Sequence, residues 1–547
     1  MRNVALTGGH ICLHARNNRR ERGKPGAVSV CGMNALSLVT ADTPFIDTGN
    51  TAWTLAAAAL VLFMTPGLAL FYGGMVRTKS VLNMMMMSFI SMATVGTVWV
   101  LWGYSEAFGA DVGGGIIGNP LDHFALNGVL DAIYGYIPAN AATGAAAAGG
   151  IPGPAFVAFQ VVFAIIAVAL ISGAVADRAK FTTWTIFTVL WSTLVYFPAA
   201  HWVFAFSGFA AEKGGWIANK ADGMLFGGAG AYDFAGGTAI HINAGVAGLA
   251  LAILLRKRVG WPREPMRPHN LTLVMLGAGI LWFGWFGFNA GSALSAGTLA
   301  AGVWVNTLGA TCTAMLGWLL VEKLRDGHFT SLGAASGVVA GLVAITPACA
   351  TVSPLGALAV GLLAGVGCAL AVGLKFRFGF DDSLDVVGVH LVGGLIGTLL
   401  IGFFADAQSS PTGAAGLAMN SGLFNGGGFA QLWAQVQGAL AVLVYSFVVT
   451  YLIGLALHKT IGFTVAEEDE VSGIDLLEHA ETGYDLAALG GSRGTLGFGG
   501  GHSVTGGPSR TPNTEMTDTD TDMHTTGKHT AGTDTTDTAA AREGATT

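Results

Sequence analysis

Eleven apolar runs, each long enough to cross a bilayer, follow one another between residues 51 and 458, and no other feature of the chain narrows its fold as much. They cover roughly 51–75, 80–106, 155–176, 181–204, 233–255, 270–292, 298–321, 329–347, 354–374, 385–404 and 430–458. Lipid tails offer no hydrogen bonds, so each run must pair its own backbone N–H and C=O groups, which makes the runs helices. A mean hydropathy of +0.58 and a charged fraction of 11% point the same way, since soluble domains carry about 25% charged residues. The expected fold is an all-α integral membrane protein with eleven transmembrane helices. Gly and Pro interrupt several runs, as Pro66 and Gly67 do in the first, and there tight packing or a lined cavity is expected.

The loops orient the runs. After spans one, three, five, seven and nine come Arg77, Lys79, Arg178, Lys180, Arg256, Lys257, Arg258, Arg263, Arg267, Lys323, Arg325, Lys375 and Arg377, while the opposite loops hold only Lys213 and Lys220. The excess of Lys and Arg on the cytoplasmic side then places the N-terminus outside and the C-terminus inside. Residues 1–32 carry six basic side chains against that rule, and Met33, with its neutral-to-acidic lead into the first span, reads as the better start of translation. The chain divides into an N-terminal extension (1–50), an eleven-span domain (51–458), a cytoplasmic segment mixing acids with apolar residues (459–489) and a Thr-, Asp- and Gly-rich tail (490–547). The composition of that tail is that of disordered chain, and much of the formal charge of −7 follows residue 465. The five cysteines have no C-x-x-C or His-paired spacing and three lie in apolar spans, so they read as small core residues.

Two spans contain residues a bilayer should reject. Span five reads D-F-A-G-G-T-A-I-H-I-N-A-G from Asp233, and at roughly 1.5 Å per residue it sets His241 about 12 Å below that carboxylate, near the midplane. Span ten reads D-V-V-G-V-H-L-V-G-G-L-I-G from Asp385. Aligned on their histidines, the spans share His-x3-Gly-x2-Gly, with His241, Gly245 and Gly248 against His390, Gly394 and Gly397, and each has an upstream Asp. An ionisable group at that depth faces a bundle interior or a pathway and has a partner. A repeated span is what an internally duplicated transporter shows; two satisfied core histidines in Gly-packed helices are the plainer alternative. Both Asp233 and Asp385 begin their spans, where a carboxylate caps free helical N–H groups.

The orientation brings further residues to one outer level: Phe108 at the end of span two, Phe204 at the end of span four, Asp233, and Trp285, Phe288 and Ser292 at the end of span six. Aromatic faces with a carboxylate and a hydroxyl nearby suit a small cation, although aromatic belts are common at membrane surfaces.

The stretches D-F-A-G-G-T-A-I-H-I-N-A-G, G-W-F-G-F-N-A-G-S, D-V-V-G-V-H and F-M-T-P-G-L-A-L-F-Y-G-G, with the tail motif G-I-D-L-L-E-H-A-E-T-G-Y, resemble the ammonium transporter family, the Amt/Mep/Rh proteins, over residues 44–484. The resemblance implies inverted five-helix repeats plus an eleventh helix, one pore per protomer and a homotrimer. It implies ammonium as substrate, with methylammonium as its analogue, and no enzymatic activity or cofactor. By motif, His241 and His390 are the pore twin histidines and Phe108 and Phe288 the gate. Phe204, Ser292, Trp285 and Asp233 are the recruitment site, with Phe204 where the family often has Trp, a better cation-binding face. The cytoplasmic segment is implied to dock a trimeric P-II signal protein, and its acids to lie near Arg256 to Arg267.

A bare ammonium ion at the midplane faces a large solvation cost and neutral ammonia only a modest one, so the ion is expected to shed its proton on the way. Potassium has none to shed. Three other readings have less in the sequence behind them. An ammonium sensor would need a signalling domain that 490–547 does not resemble, a Rh-type gas channel fits Ser292 and its context poorly, and a metalloenzyme using His201, His241 and His390 lacks ligand spacing.

Overall fold

The computed structural model describes residues 43–140, 146–207, 209, 214–217 and 230–484, with two short strands near the N-terminus, Val4–Thr7 and His10–Leu13. The expected start at Met33, the loop lysines Lys213 and Lys220 and the tail 490–547 lie outside the described residues.

Among the described residues eleven helices are long and apolar enough to cross a membrane, as expected: α1 (Thr48–Met75), α2 (Thr78–Phe108), α3 (Gly153–Val175), α4 (Phe181–Phe204), α5 (Gly237–Leu254), α6 (Leu271–Gly291), α7 (Thr298–Asp326), α8 (Ser331–Ala348), α9 (Pro354–Phe378), α10 (Val387–Phe404) and α11 (Ala430–Thr460). Their starts follow from local chemistry. Asp47, Asn270 and Thr330 each accept the backbone N–H three residues on, from Asn50, Leu273 and Gly333, and each such cap satisfies a donor that the first turn leaves free. Gly327, in the left-handed region at φ 79°, stops α7. Pro66 and Gly67 do not break α1, contrary to expectation. A Cβ on Gly67 would lie 2.6 Å from Ile280 Cγ2, so that glycine serves the close packing of α1 on α6.

The helices α3, α5 and α8 are buried almost all round, whereas only a third of the residues in the apolar stretch of α11 are buried. The α5 and α10 helices meet at the centre, with α11 against both. A Cβ on Gly245 would strike the Leu391 backbone, immediately after His390, and one on Gly397 would strike Ala344. The shared glycines are therefore where the two histidine helices approach their neighbours, as the sequence suggested. Both histidines lie in π-helical turns, Gly237–Ile242 and Val387–Leu391. Such turns leave part of the backbone ladder locally open and recur at functional sites. Of the apolar cysteines, Cys349 and Cys368 are buried as expected, whereas Cys312 is exposed on the outer face of α7.

The loops after the odd-numbered helices share one face with the segment that follows α11. There α12 (Glu467–Ser472) and α13 (Ile474–His479) are strapped down. Glu470 is buried and takes Arg256 at 2.6 Å, Arg77 at 3.1 Å and the Val259 N–H at 2.8 Å. Asp475 accepts from the N–H groups of Leu82 and Asn83, capping α2. Beneath them Arg258 grips Asp381 with two nitrogens, at 2.8 and 3.0 Å, and Arg178 bonds the Asp381 carboxylate, its carbonyl and Ser383. Burial alone would raise the Asp381 carboxyl, but the two guanidiniums outweigh it and hold it below the usual range.

Candidate functional site

His241 and His390 meet at the centre of the bundle. Their Nδ1 atoms are 3.3 Å apart and the rings stack with centroids 5.4 Å apart and planes 19° from parallel. Both rings are at most 3% exposed, so nothing but each other and the cavity answers their polarity. A Nδ1···Nδ1 bond needs one hydrogen and one lone pair, which makes the rings opposite tautomers. One Nε2 is then an acceptor and the other a donor. The His241 Nε2 has no partner.

The space beside the pair is a cavity of about 10 Å³ lined by Met64, Leu68, Ile166, Trp285, Phe288 and both imidazoles, among others. That is room for one molecule of water's size. Below it His390 also lines a second cavity of about 10 Å³, with Tyr72, Ser336, Leu384 and Asp385. The two small cavities flank the histidines along a line toward the basic-loop face.

Above the pair the structure does not bring Phe108 and Phe288 together. Phe288 stacks on Phe163 of α3, with centroids 4.3 Å apart and planes at 26°, and sits 6.0 Å from His241. Phe108 packs instead with Phe156, Tyr104 and Trp99 at 4.9, 5.5 and 6.2 Å. Phe108 ends α2, while α3 is buried almost all round and presents Phe163 to Phe288. The only sequence signal for Phe163 was its place on a span apolar all round, too weak to single it out.

Trp285 also moves. It is not at the outer level with Ser292, because seven helical residues separate them, roughly 10 Å. It stacks on His241 at 5.4 Å and 18°, held by a bond from its Nε1 to Thr346 Oγ1 at 2.8 Å. Ser292 remains near the end of α6, half-buried, donating to the Phe288 carbonyl at 2.8 Å. Phe204 ends α4 and is buried. Asp233 precedes α5 and caps it completely: its two oxygens accept the N–H groups of Gly236, Gly237, Thr238 and Ala239 at 2.7 to 3.0 Å.

The repeat is stricter than the sequence alignment had it. Asp382, not Asp385, lies eight residues before His390, as Asp233 does before His241. It caps α10 by accepting from Val386 at 3.1 Å and Val387 at 2.7 Å. Asp385 instead faces Lys375, with Nζ 2.8 Å from its Oδ1. His201 stands apart from both histidines, with Nδ1 against the Ala107 carbonyl at 2.9 Å. Among the described residues no three His, Cys, Asp or Glu side chains converge as a metal site.

Comparison with known proteins agrees with this architecture. The model of the Ammonium Transporter Family matches residues 52–484. An ammonium transporter of Mycobacterium tuberculosis is 61% identical over 452 residues, which are 82% of this chain and 92% of that protein. The crystal structure of Saccharomyces cerevisiae Mep2 superposes with a TM-score of 0.67 at 32% identity, covering 77% of this chain and 88% of the other. A structure described as a sensor Amt protein does so with a TM-score of 0.67 at 28% identity, covering 79% and 98%.

Proposed function

The chain belongs to the ammonium transporter family, and from that premise we propose that it carries ammonium across the cell membrane by conducting ammonia through the His241–His390 pore. The observation that carries the reading is the imidazole pair: two mutually bonded, buried rings beside cavities that each admit one water-sized molecule.

An ammonium ion reaching the outer end of α6 meets the Ser292 hydroxyl and the Phe204 face. To pass Phe163 and Phe288 it must lose its hydration, and the walls beyond are almost wholly apolar, so its charged form is disfavoured there. Ammonia suits the pair, because it is both donor and acceptor and the rings' outer nitrogens are one of each. Potassium is refused because it has no proton to leave behind. Net charge movement then depends on whether the proton follows along the two rings, which the shared Nδ1–H permits sterically. Asp233 acts on the ion only indirectly, as the cap that fixes the start of α5.

On the family resemblance the protein is a homotrimer that takes up nitrogen, with its N-terminus outside and its C-terminus in the cytoplasm. The thirteen loop bases and the strapped segment through Tyr484 then form the cytoplasmic surface on which a trimeric P-II signal protein docks. The test is current from purified protein in liposomes on stepping external ammonium, then methylammonium, then potassium. Currents with the first two and none with potassium are expected; equal potassium current would refute the reading.

A further inference from the structure

We propose that the inner mouth of the pore contains an ammonium-binding site built on Asp385, and that Lys375 occupies it as a tethered competitor that keeps the exit clear. The proposal rests on the transport reading above and adds a residue pair that sets product release.

The cavity beneath the histidines supplies the place. His390 is 3% exposed, its Nδ1 is committed to His241, and the residue borders this cavity. Ser336, Tyr72 and Asp385 line the same small space. Of the residues lining this cavity with His390, Asp385 is the one that bears a carboxylate. In this chain the carboxylate is not idle: Lys375 Nζ sits 2.8 Å from Oδ1 and donates to the Asp382 carbonyl at 3.1 Å. The contact with Oδ1 is one of charge, since that oxygen receives no well-aligned hydrogen bond. A primary ammonium thus already rests where a free ammonium ion would, on one anionic and one carbonyl oxygen. Asp385 is held there with φ 62°, an uncommon conformation for a residue other than glycine, so the position is imposed by its surroundings.

Two consequences follow. With Lys375 in place the mouth is close to neutral, and an emerging ammonium ion finds no free anion to linger on. Without it, Asp385 is a bare carboxylate beside the pore, and cytoplasmic ammonium is retained there and obstructs the next transfer. Lys375 lies at the start of the last turn of α9, where its side chain is 12% exposed.

The experiment uses the full-length chain in liposomes preloaded with graded ammonium, comparing the initial rate of ammonium-driven current for wild type, Lys375→Met, Asp385→Asn and the double variant. Lys375→Met is expected to lower the internal concentration that halves the rate by about fivefold, the scale of a partly exposed ion pair, and the double variant to restore the wild-type value. Lys375→Met with wild-type sensitivity to internal ammonium would overturn the site. So would a double variant as sensitive as Lys375→Met. Asp385→Asn alone guards against a folding defect of the lysine variant: it should show sensitivity no greater than wild type, and increased sensitivity would also overturn the proposal. Absence of both ammonium-driven current and labelled methylammonium uptake from wild type itself would instead refute transport, which keeps the two failures apart.

Discussion

Replacing Asp233 separates two roles that one carboxylate could play in a cation pathway. Its side chain is 93% buried by the complement of its 7% exposure, and its two oxygens accept four backbone N–H groups at 2.7 to 3.0 Å. Asp233→Asn retains one acceptor oxygen and replaces the other with a donor, which faces the N–H groups of Thr238 and Ala239. Two buried donors lose their partner, each at about 1–3 kcal/mol, so a destabilisation of about 2–6 kcal/mol is expected. Asp233→Ala orphans all four and should cost more. The assay pairs thermal melting of the detergent-solubilised protein with liposome currents. Melting should fall by several degrees for Asn and further for Ala, while the Asn protein that remains folded keeps its preference for ammonium over potassium. If Asn melted like wild type yet conducted nothing, the cap would not be the role of Asp233 and direct stabilisation of the ion would be.

Phe288→Ala and Phe163→Ala should each hydrate the upper pore and admit potassium, whereas Phe108→Ala should leave selectivity intact; a potassium current in the Phe108 variant alone would reverse the assignment. His241→Asp places a fixed anion in the largely apolar cavity and should give potassium conductance, measured as reversal potential in mixed ammonium and potassium. His390→Ala leaves one imidazole without its partner at about 1–3 kcal/mol and should slow transport without dissolving the fold, which size-exclusion and melting would check. The depressed Asp381 carboxyl favours the ionised form in the folded state, so the stability it contributes is complete above the unfolded value near pH 4, roughly, and is lost as pH falls through the lower folded value. Melting temperature of the wild type should therefore fall more steeply at strongly acid pH than that of Asp381→Asn; parallel curves would contradict this. Truncation after Gly462, which removes Glu470 from Arg77 and Arg256, should lower transport, and truncation after Gly490 should not.

How much of this was legible in the sequence follows from which interactions are local. The eleven spans were, because lipid forces backbone pairing within each helix and apolar length alone then marks it. The cap by Asp233 was legible for the same reason, being made within six residues. The His241–His390 pair, 149 positions apart, could be read only because the spans repeat a spacing. Phe163 and Thr346 were not legible. Their roles are contacts between helices, Phe163 on Phe288 and Thr346 on Trp285, and in a helix apolar on every side no periodicity says which side faces a pore.

The misread Asp385 carries the more general lesson about duplicated spans. A glycine frame after the histidine is set by how closely the helices pack, and an Asp before it by where the helix begins, so the two constraints fix separate offsets. Taking any upstream Asp as the counterpart ignores the second. Requiring the same distance to the histidine selects Asp382, whose carboxylate caps α10 through Val386 and Val387 as Asp233 caps α5. The two caps enter from opposite faces and each leads into a π-helical turn bearing the imidazole. A cap fixes the first turn, and the wider turn after it redirects the side chain. The histidines are thereby aimed at each other by two copies of one local device. Asp385, freed from capping, is left beside the inner cavity with only Lys375 to balance it. Asp233 keeps both oxygens on its own helix, so the duplicated halves share one capping device and differ in the second carboxylate that follows it.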